Sequence, residues 1–303
     1  MTDENNKQDY ILVEGDDMEI SIVKTRDEST LVSSKTKSRK KKWYALVAVL
    51  CVLVIGAMIV GWMGYHMFVD IGVPISRTPK ENIDILKQQM ARQGGDVSAG
   101  VTYSRDSILG VAMDFYRLDG LRGTLSMTEP DMSDKSVYLY VRSSDYLADG
   151  TLIGTIVMDG EELNSTRGRR LAYVAMAGNG TVIGVSRWNS VKDFVMKQGG
   201  SFFRQFLLVS NGALPRHFYL HGKVERRALG RIGDALYVVC TRHKETMWDF
   251  ADALREYGFA DAVYITGGND RTFYRTADGV AHEFGVDDSH AENIPWLVFK
   301  AQQ

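Results

Sequence analysis

The polar and apolar positions of this chain fall into three regimes. Residues 44–64 read YALVAVLCVLVIGAMIVGWMG, with no charge and none of the polar stripe that a helix on a soluble core keeps on its free face. Twenty-one residues of α-helix rise about 31 Å, enough to cross the hydrocarbon of a bilayer. Next, Ile83, Leu86 and Met90 recur at helical spacing behind Thr78-Pro79-Lys80-Glu81. Thr78 and Glu81 make a capping box, Pro79 suits the first turn, and Gly94-Gly95 ends a short amphipathic helix. From Val101 the period becomes two. Val137, Leu139 and Val141 alternate with Tyr138, Tyr140 and Arg142, which predicts a strand with two unlike faces.

The strand pattern continues to the end of the chain. Residues 108–116 are apolar-rich, and 152–158 lead into the turn pair Asp159-Gly160. Residues 171–177 and 181–186 flank Gly178-Asn179-Gly180, a tight turn between strands. Ser190 opens a short helix that buries Phe194 and Val195 and stops at Gly199-Gly200. Residues 206–209, 224–232 and 236–240 read as strands. Thr246 caps a helix with Asp249 in the capping-box position, an apolar face of Phe250, Ala253, Leu254 and Tyr257, and Gly258 just past its end. A buried strand at 262–265 follows, then Thr266-Gly267-Gly268 and Phe273-Tyr274. The expected fold class is α+β: a single transmembrane helix, then a mainly β extracytoplasmic domain with a few short helices.

Charge sets the expected orientation. Residues 1–34 hold nine acidic and three basic side chains, and 35–42 hold six basic ones. A basic cluster beside a membrane span stays on the cytoplasmic side. Trp43 and Tyr44 at one end, and Trp62 and Tyr65 at the other, suit the two interfaces. A cleaved signal peptide fits less well, because the run is long for a signal core and begins more than forty residues in. The expected organisation is a disordered cytoplasmic tail with its basic cluster at 1–42, a transmembrane helix at 43–68, a juxtamembrane helix and linker at 69–100, and one domain at 101–303. Whether the strands before residue 150 belong to that domain stays open.

The net charge of −2 hides no basic domain, so nothing points to nucleic acid. The two cysteines, Cys51 in the apolar run and Cys240 beyond it, cannot pair within one chain when one lies in lipid and the other in the outer domain. An outer domain without a disulfide favours a bacterial envelope, with the chain in the inner membrane, its N-terminus cytoplasmic and its C-terminal domain periplasmic. The expected partner of Tyr44 to Gly64 is membrane lipid. His217 and His221, four apart on a strand, would share one face, but two imidazoles do not make a metal site, and neither a metal nor a cofactor is expected. Cys240 ends an apolar strand, where a buried inert thiol is expected.

Three pieces, in order, carry a resemblance: Val224-Glu225-Arg226-Arg227-Ala228-Leu229-Gly230; residues 236–240 with the helix at 246–258; and Ala262-Val263-Tyr264-Ile265-Thr266-Gly267-Gly268-Asn269. Together they resemble the phosphodiester glycosidase domain family, over about residues 150–300. Asn179-Gly180 is similar to that family's Asn-Gly turn. The resemblance implies ligand contacts from Arg226, Arg227, Thr266, Gly267, Gly268, Asn269 and Asn179.

The chain also departs from that pattern. The family's Arg-Thr pair is Arg226-Arg227 here, its aspartate before the glycines is Thr266, and its following Gly-Ser is Asn269-Asp270. Cleavage of a sugar phosphodiester commonly uses carboxylates, and Asp270 is the nearest replacement catalytic acid. Guanidinium suits phosphate because its donors form a planar fork. The plainer alternatives are a strand with one exposed and one paired arginine, and a simple backbone turn at Gly267-Gly268. The expectation is therefore a divergent domain that binds envelope glycan, a sugar phosphate or an envelope protein. The alternative is an active hydrolase of a sugar-1-phosphate diester.

Overall fold

The computed structural model describes residues 28–68, 79–92, 98–144, 146, 151–165, 170–218, 220–266, 270–286 and 294–302, with side chains of the first helix described from 41 to 64. The chain divides into two compact units, Met1–Asp70 and Ile71–Gln303.

The first unit is built on α1 (Glu28–Phe68). Within it, Lys41–Gly64 is long and apolar enough to cross a membrane, a property that an anchor and a signal sequence share. Its large apolar side chains are exposed, Leu53 at 64% and Val60 at 70% among them. The helix begins upstream of the apolar run, inside the segment expected to be a tail. Lysine and arginine are good helix formers, and extending an existing helix is far easier than starting one.

The second unit starts with α2 (Pro79–Met90). It continues through β1 (Gly100–Ile108), β2 (Val111–Asp119), β3 (Leu121–Ser126), β4 (Val137–Arg142), β5 (Ile156–Met158), β6 (Glu161–Asn164), β7 (Ala172–Ala177), β8 (Gly180–Val185) and α3 (Ser190–Lys197). Then come β9 (Ser201–Gln205), β10 (Leu207–Ser210), β11 (Arg227–Ile232), β12 (Ala235–Thr241), α4 (Met247–Tyr257), β13 (Asp261–Ile265), β14 (Thr272–Arg275), β15 (Ala281–Phe284) and β16 (Trp296–Ala301). Among the described residues the chain is thus mixed helix and strand, mostly β, with four helices.

The strands form three sheets, in the orders β1-β2-β12-β11-β13-β10, β15-β14-β4-β16-β3 and β6-β5-β9-β7-β8. Strands from before residue 150 pair with strands from after it in the first two, so 100–142 is part of the same domain. Strands β12 and β13 both pair antiparallel with β11 between them, and α4 joins them. This is the strand–helix–strand unit expected from the sequence.

The period-two pattern sorts the side chains. Leu229, Val238, Val263, Leu139, Val141, Val174, Phe203, Leu297 and Phe299 point from all three sheets into one central core. The alternate residues of the first sheet, such as Ala228, Val239 and Ala262, pack under Phe250, Ala253 and Leu254 of α4. Those of the third sheet pack under α2 and α3. Each such aliphatic or aromatic side chain, fully buried, contributes about 1.5–3 kcal/mol. Two glycines permit the close approaches. A Cβ on Gly123 of β3 would sit 2.7 Å from Met176 Sδ on β7, and one on Gly180 of β8 would sit 2.7 Å from Leu86 Cδ1 of α2. Leu86 is fully buried, so α2 packs on the domain as an outer layer.

The ends of α4 match the sequence: Thr246 Oγ1 accepts from the Asp249 amide at 3.0 Å, and Gly258 takes the left-handed conformation with φ 107°. Thr78 and Gly94-Gly95, the expected ends of α2, lie outside the described residues. Two local expectations are corrected. The apolar run 108–116 is not one strand, because Leu109 and Gly110 turn the chain between β1 and β2 with φ of 52° and 83° and leave Leu109 exposed. His217 and His221 lie in the loop between β10 and β11, not on a strand, and both are exposed.

Candidate functional site

Arg226 and Arg227 sit at the start of β11, and adjacent strand residues point to opposite faces. Neither reaches solvent: they are 2% and 1% exposed. Arg226 lies on the α4 side. Its Nε donates to Glu245 O at 3.1 Å and its Nη2 to Gly222 O at 2.8 Å, with the guanidinium 5.8 Å from the Tyr264 ring centroid.

Arg227 lies on the central-core side. Its Nη2 donates to Asp270 O at 2.9 Å and to Thr272 Oγ1 at 2.7 Å, its Nη1 reaches Thr266 O at 3.5 Å, and its Nε points at Cys240 Sγ, 3.2 Å away. The guanidinium therefore holds both ends of the 266–270 turn by their carbonyls. Of the expected ligand contacts and the candidate acid, the structure brings Arg227, Thr266 and Asp270 together. Arg226 faces away from them, and Gly267, Gly268 and Asn269 lie outside the described residues.

Register adds residues that sequence reasoning missed. Arg227 pairs with Cys240, Cys240 with Asp114, and Asp114 with Arg105, so four strands contribute one row across the inner face. Asp114 Oδ1 accepts from Tyr103 Oη at 2.9 Å and Arg105 Nε at 3.0 Å. Tyr103 also stacks on Tyr274, with centroids 5.6 Å apart, and Tyr274 stacks on His282 at 4.7 Å. Gln205, on β9 at the same end of the core, is fully buried, with its Nε2 unpartnered among the described residues. Asp114 carries no local signal beyond its inward position in an alternating strand. Only the pairing of β2 with β12 places it beside the arginine.

The electrostatics of this row follow from burial. Burial pushes the Cys240 thiol up, against the opposing pull of Arg227, so at neutral pH it is a protonated thiol and a poor nucleophile. Burial likewise pushes the Tyr116 phenol up, with Cys240, Asp114 and Tyr103 adding to the effect and Arg227 opposing it. Among the described residues no three His, Cys, Asp or Glu side chains are grouped to hold a metal ion. The row offers one carboxylate paired with the exposed Arg105, a neutral thiol and the Arg227 guanidinium engaged with main chain.

Asn179 is elsewhere. It lies in the β7–β8 turn, where its Nδ2 donates to Arg92 O at 3.0 Å. It lines a cleft with Arg231, four residues along β11 from Arg227, or about 13 Å at the rise of a strand.

No protein-family model and no curated protein sequence matches this chain. Among solved structures, it is similar to the catalytic domain of zebrafish N-acetylglucosamine-1-phosphodiester alpha-N-acetylglucosaminidase, described as auto-inhibited by its pro-peptide. The identity is 11% and the TM-score 0.46, over 70% of this chain and 87% of that one. It is also similar to a hypothetical protein from Synechocystis, with 9% identity and a TM-score of 0.49, over 66% of this chain and 62% of that one. At these values neither likeness bears on what the site does.

Proposed function

We propose that this chain is a single-pass membrane protein whose second unit lies outside the membrane and binds an envelope glycan without cleaving it. One observation carries the choice of binding over hydrolysis: the guanidinium groups of Arg226 and Arg227 are both buried and turned onto main-chain carbonyls. Recognition of a phosphodiester calls for a fork open to the phosphate, and its cleavage for carboxylates flanking the scissile bond. At this turn the family's aspartate is Thr266, and Arg227 serves to shape the loop. The anchoring half of the proposal rests on the exposed apolar helix Lys41–Gly64 and the basic residues before it. It places the N-terminus in the cytoplasm and the Ile71–Gln303 unit in the periplasm of a bacterial inner membrane.

A second reading, hydrolysis of a sugar-1-phosphate diester, is favoured by Asp114, a carboxylate held on the same row as Arg227. An envelope protein is the other partner that the binding reading admits. Co-sedimentation of the full chain, in detergent, with insoluble envelope glycan tests the proposal. Retention on the glycan without release of soluble sugar is expected, and a chain that stays in the supernatant would refute it. Protease added to intact spheroplasts should remove the second unit and spare the N-terminal tail.

A further inference from the structure

The end of the central core away from Arg227 opens into a cleft of about 710 Å³, within the range of small-ligand sites. Its floor is aliphatic, made by Leu118, Ile183 and Leu236 of the core. Its rim is polar, with Gln88 and Gln89 from α2 and Asn179 from the β7–β8 turn. Gln89 is itself anchored, accepting from the Thr181 amide at 3.0 Å.

Two groups at this mouth are buried and unmatched. The pleat that turns Ile183 inward turns Thr181 inward too, two residues earlier on β8. Thr181 is 6% exposed and its Oγ1 makes no hydrogen bond among the described residues. The Arg231 side chain is 18% exposed, but its Nε is buried and makes no hydrogen bond among the described residues, while its Nη1 donates to Gly233 O and its Nη2 to Asp261 Oδ2 at 2.6 Å. Buried polar groups without partners are rare, and each costs stability unless something arrives to meet it.

The charges around the cleft are balanced. Arg117 pairs with Asp119 at 3.0 Å, Arg231 pairs with Asp261, and the lining adds one more arginine, Arg92, and one more aspartate, Asp234. The cleft therefore offers no net field to an anion. What it offers is an aliphatic floor and an amide rim, with one hydroxyl and one N–H donor buried just beneath its wall. A pyranose ring is complementary to that set, having an apolar C–H face and an edge of hydroxyls that both donate and accept.

We propose that this cleft between α2, the β7–β8 turn and β11 is a binding site for a neutral saccharide, with Thr181 Oγ1 and Arg231 Nε as its buried contacts. The proposal rests on the reading of the domain as a glycan binder and places the sugar at the mouth opposite the 266–270 turn.

The test uses the full chain in detergent micelles. The probes are neutral disaccharides (N,N′-diacetylchitobiose, maltose and lactose) and the anionic N-acetylglucosamine 1-phosphate, read by saturation-transfer NMR and titration. The variant is Thr181→Val, which keeps the shape and removes the hydroxyl. At least one neutral disaccharide is expected to bind more tightly than the phosphate, and Thr181→Val is expected to weaken it about tenfold, the worth of one hydrogen bond. Its melting temperature should be unchanged or higher, since among the described residues nothing uses that hydroxyl. Equal binding by wild type and variant would overturn the cleft as the site, leave it a water-filled hollow, and leave glycan binding standing. Tighter, Thr181-dependent binding of the phosphate would overturn the neutral class. No binding of any probe by the wild type would overturn both this site and the glycan reading.

Discussion

Replacing Arg227 with methionine separates a clamp from a ligand-binding fork by the sign of the stability change. The side chain is 1% exposed, and its hydrogen-bonding partners are Asp270 O, Thr266 O, Thr272 Oγ1 and Cys240 Sγ. Burying a cation is costly, and replacing one that has little to hold is often neutral or stabilising. Here the methionine would remove the charge-assisted hydrogen bonds to Asp270 O at 2.9 Å and Thr272 Oγ1 at 2.7 Å and the longer contact with Thr266 O. A hydrogen bond from a charged group is worth about 1.5–3 kcal/mol, and the relief of burying no charge offsets part of the total, which leaves about 2–4 kcal/mol of destabilisation. That is a large share of a domain stability of about 5–15 kcal/mol. Urea unfolding of the Ile71–Gln303 unit at neutral pH, with matched slopes for wild type and variant, gives the difference from the midpoints. A midpoint that stays or rises would refute the clamp and return Arg227 to the candidates for phosphate recognition.

Other perturbations test the layers around it. Gly180→Ala would drive a methyl to 2.7 Å from Leu86 Cδ1 and 3.1 Å from Leu86 O, so it should cost about 1–3 kcal/mol, read as a lower thermal midpoint. A Gly110→Ala control has open space around it and tests strain alone. The alkaline limb of stability should bear the mark of Cys240 and Tyr116, whose folded values are both raised by burial. A raised acid favours the folded state below its unfolded value, so stability is full below about pH 8.5 and falls as the unfolded thiol and then the phenol ionise, near pH 8.5 and 10. Urea midpoints at pH 7 and pH 10 check this, and Cys240→Ala should flatten the first part of the decline.

Much of the frame is local and was therefore legible in the sequence. Thr246, Asp249 and Gly258 mark α4 because caps act within one turn of chain, and Gly178-Asn179-Gly180 marks the β7–β8 hairpin because tight turns demand particular residues. The apolar helix needed only length and composition. What failed to show was non-local. Strand β3 reads LRGTLS, too short and glycine-broken to stand out, and it exists because Leu121, Gly123 and Leu125 pair with β16 nearly two hundred residues away. The run 108–116 misled because Leu109, an apolar residue, sits exposed in a left-handed turn. At the site, the resemblance named Arg227, Thr266 and Asp270, which the structure brings within reach of one another, because glycine-rich turns and arginines carry local signals. It did not reveal that Arg227 on β11 holds the carbonyls of Thr266 and Asp270, nor that Asp114 lies on its row. Those facts belong to cross-strand register, which no window of sequence contains.

The central claim is that the second unit binds without cleaving. Its most direct test is to incubate the full chain in detergent with UDP-N-acetylglucosamine, with and without a divalent cation, and to measure free sugar. The account predicts none above the rate without protein, while the same preparation remains folded and retains its neutral glycan. Sugar release that is lost in Asp114→Asn, with the fold intact, would contradict it and make the Asp114–Arg227 row an active site.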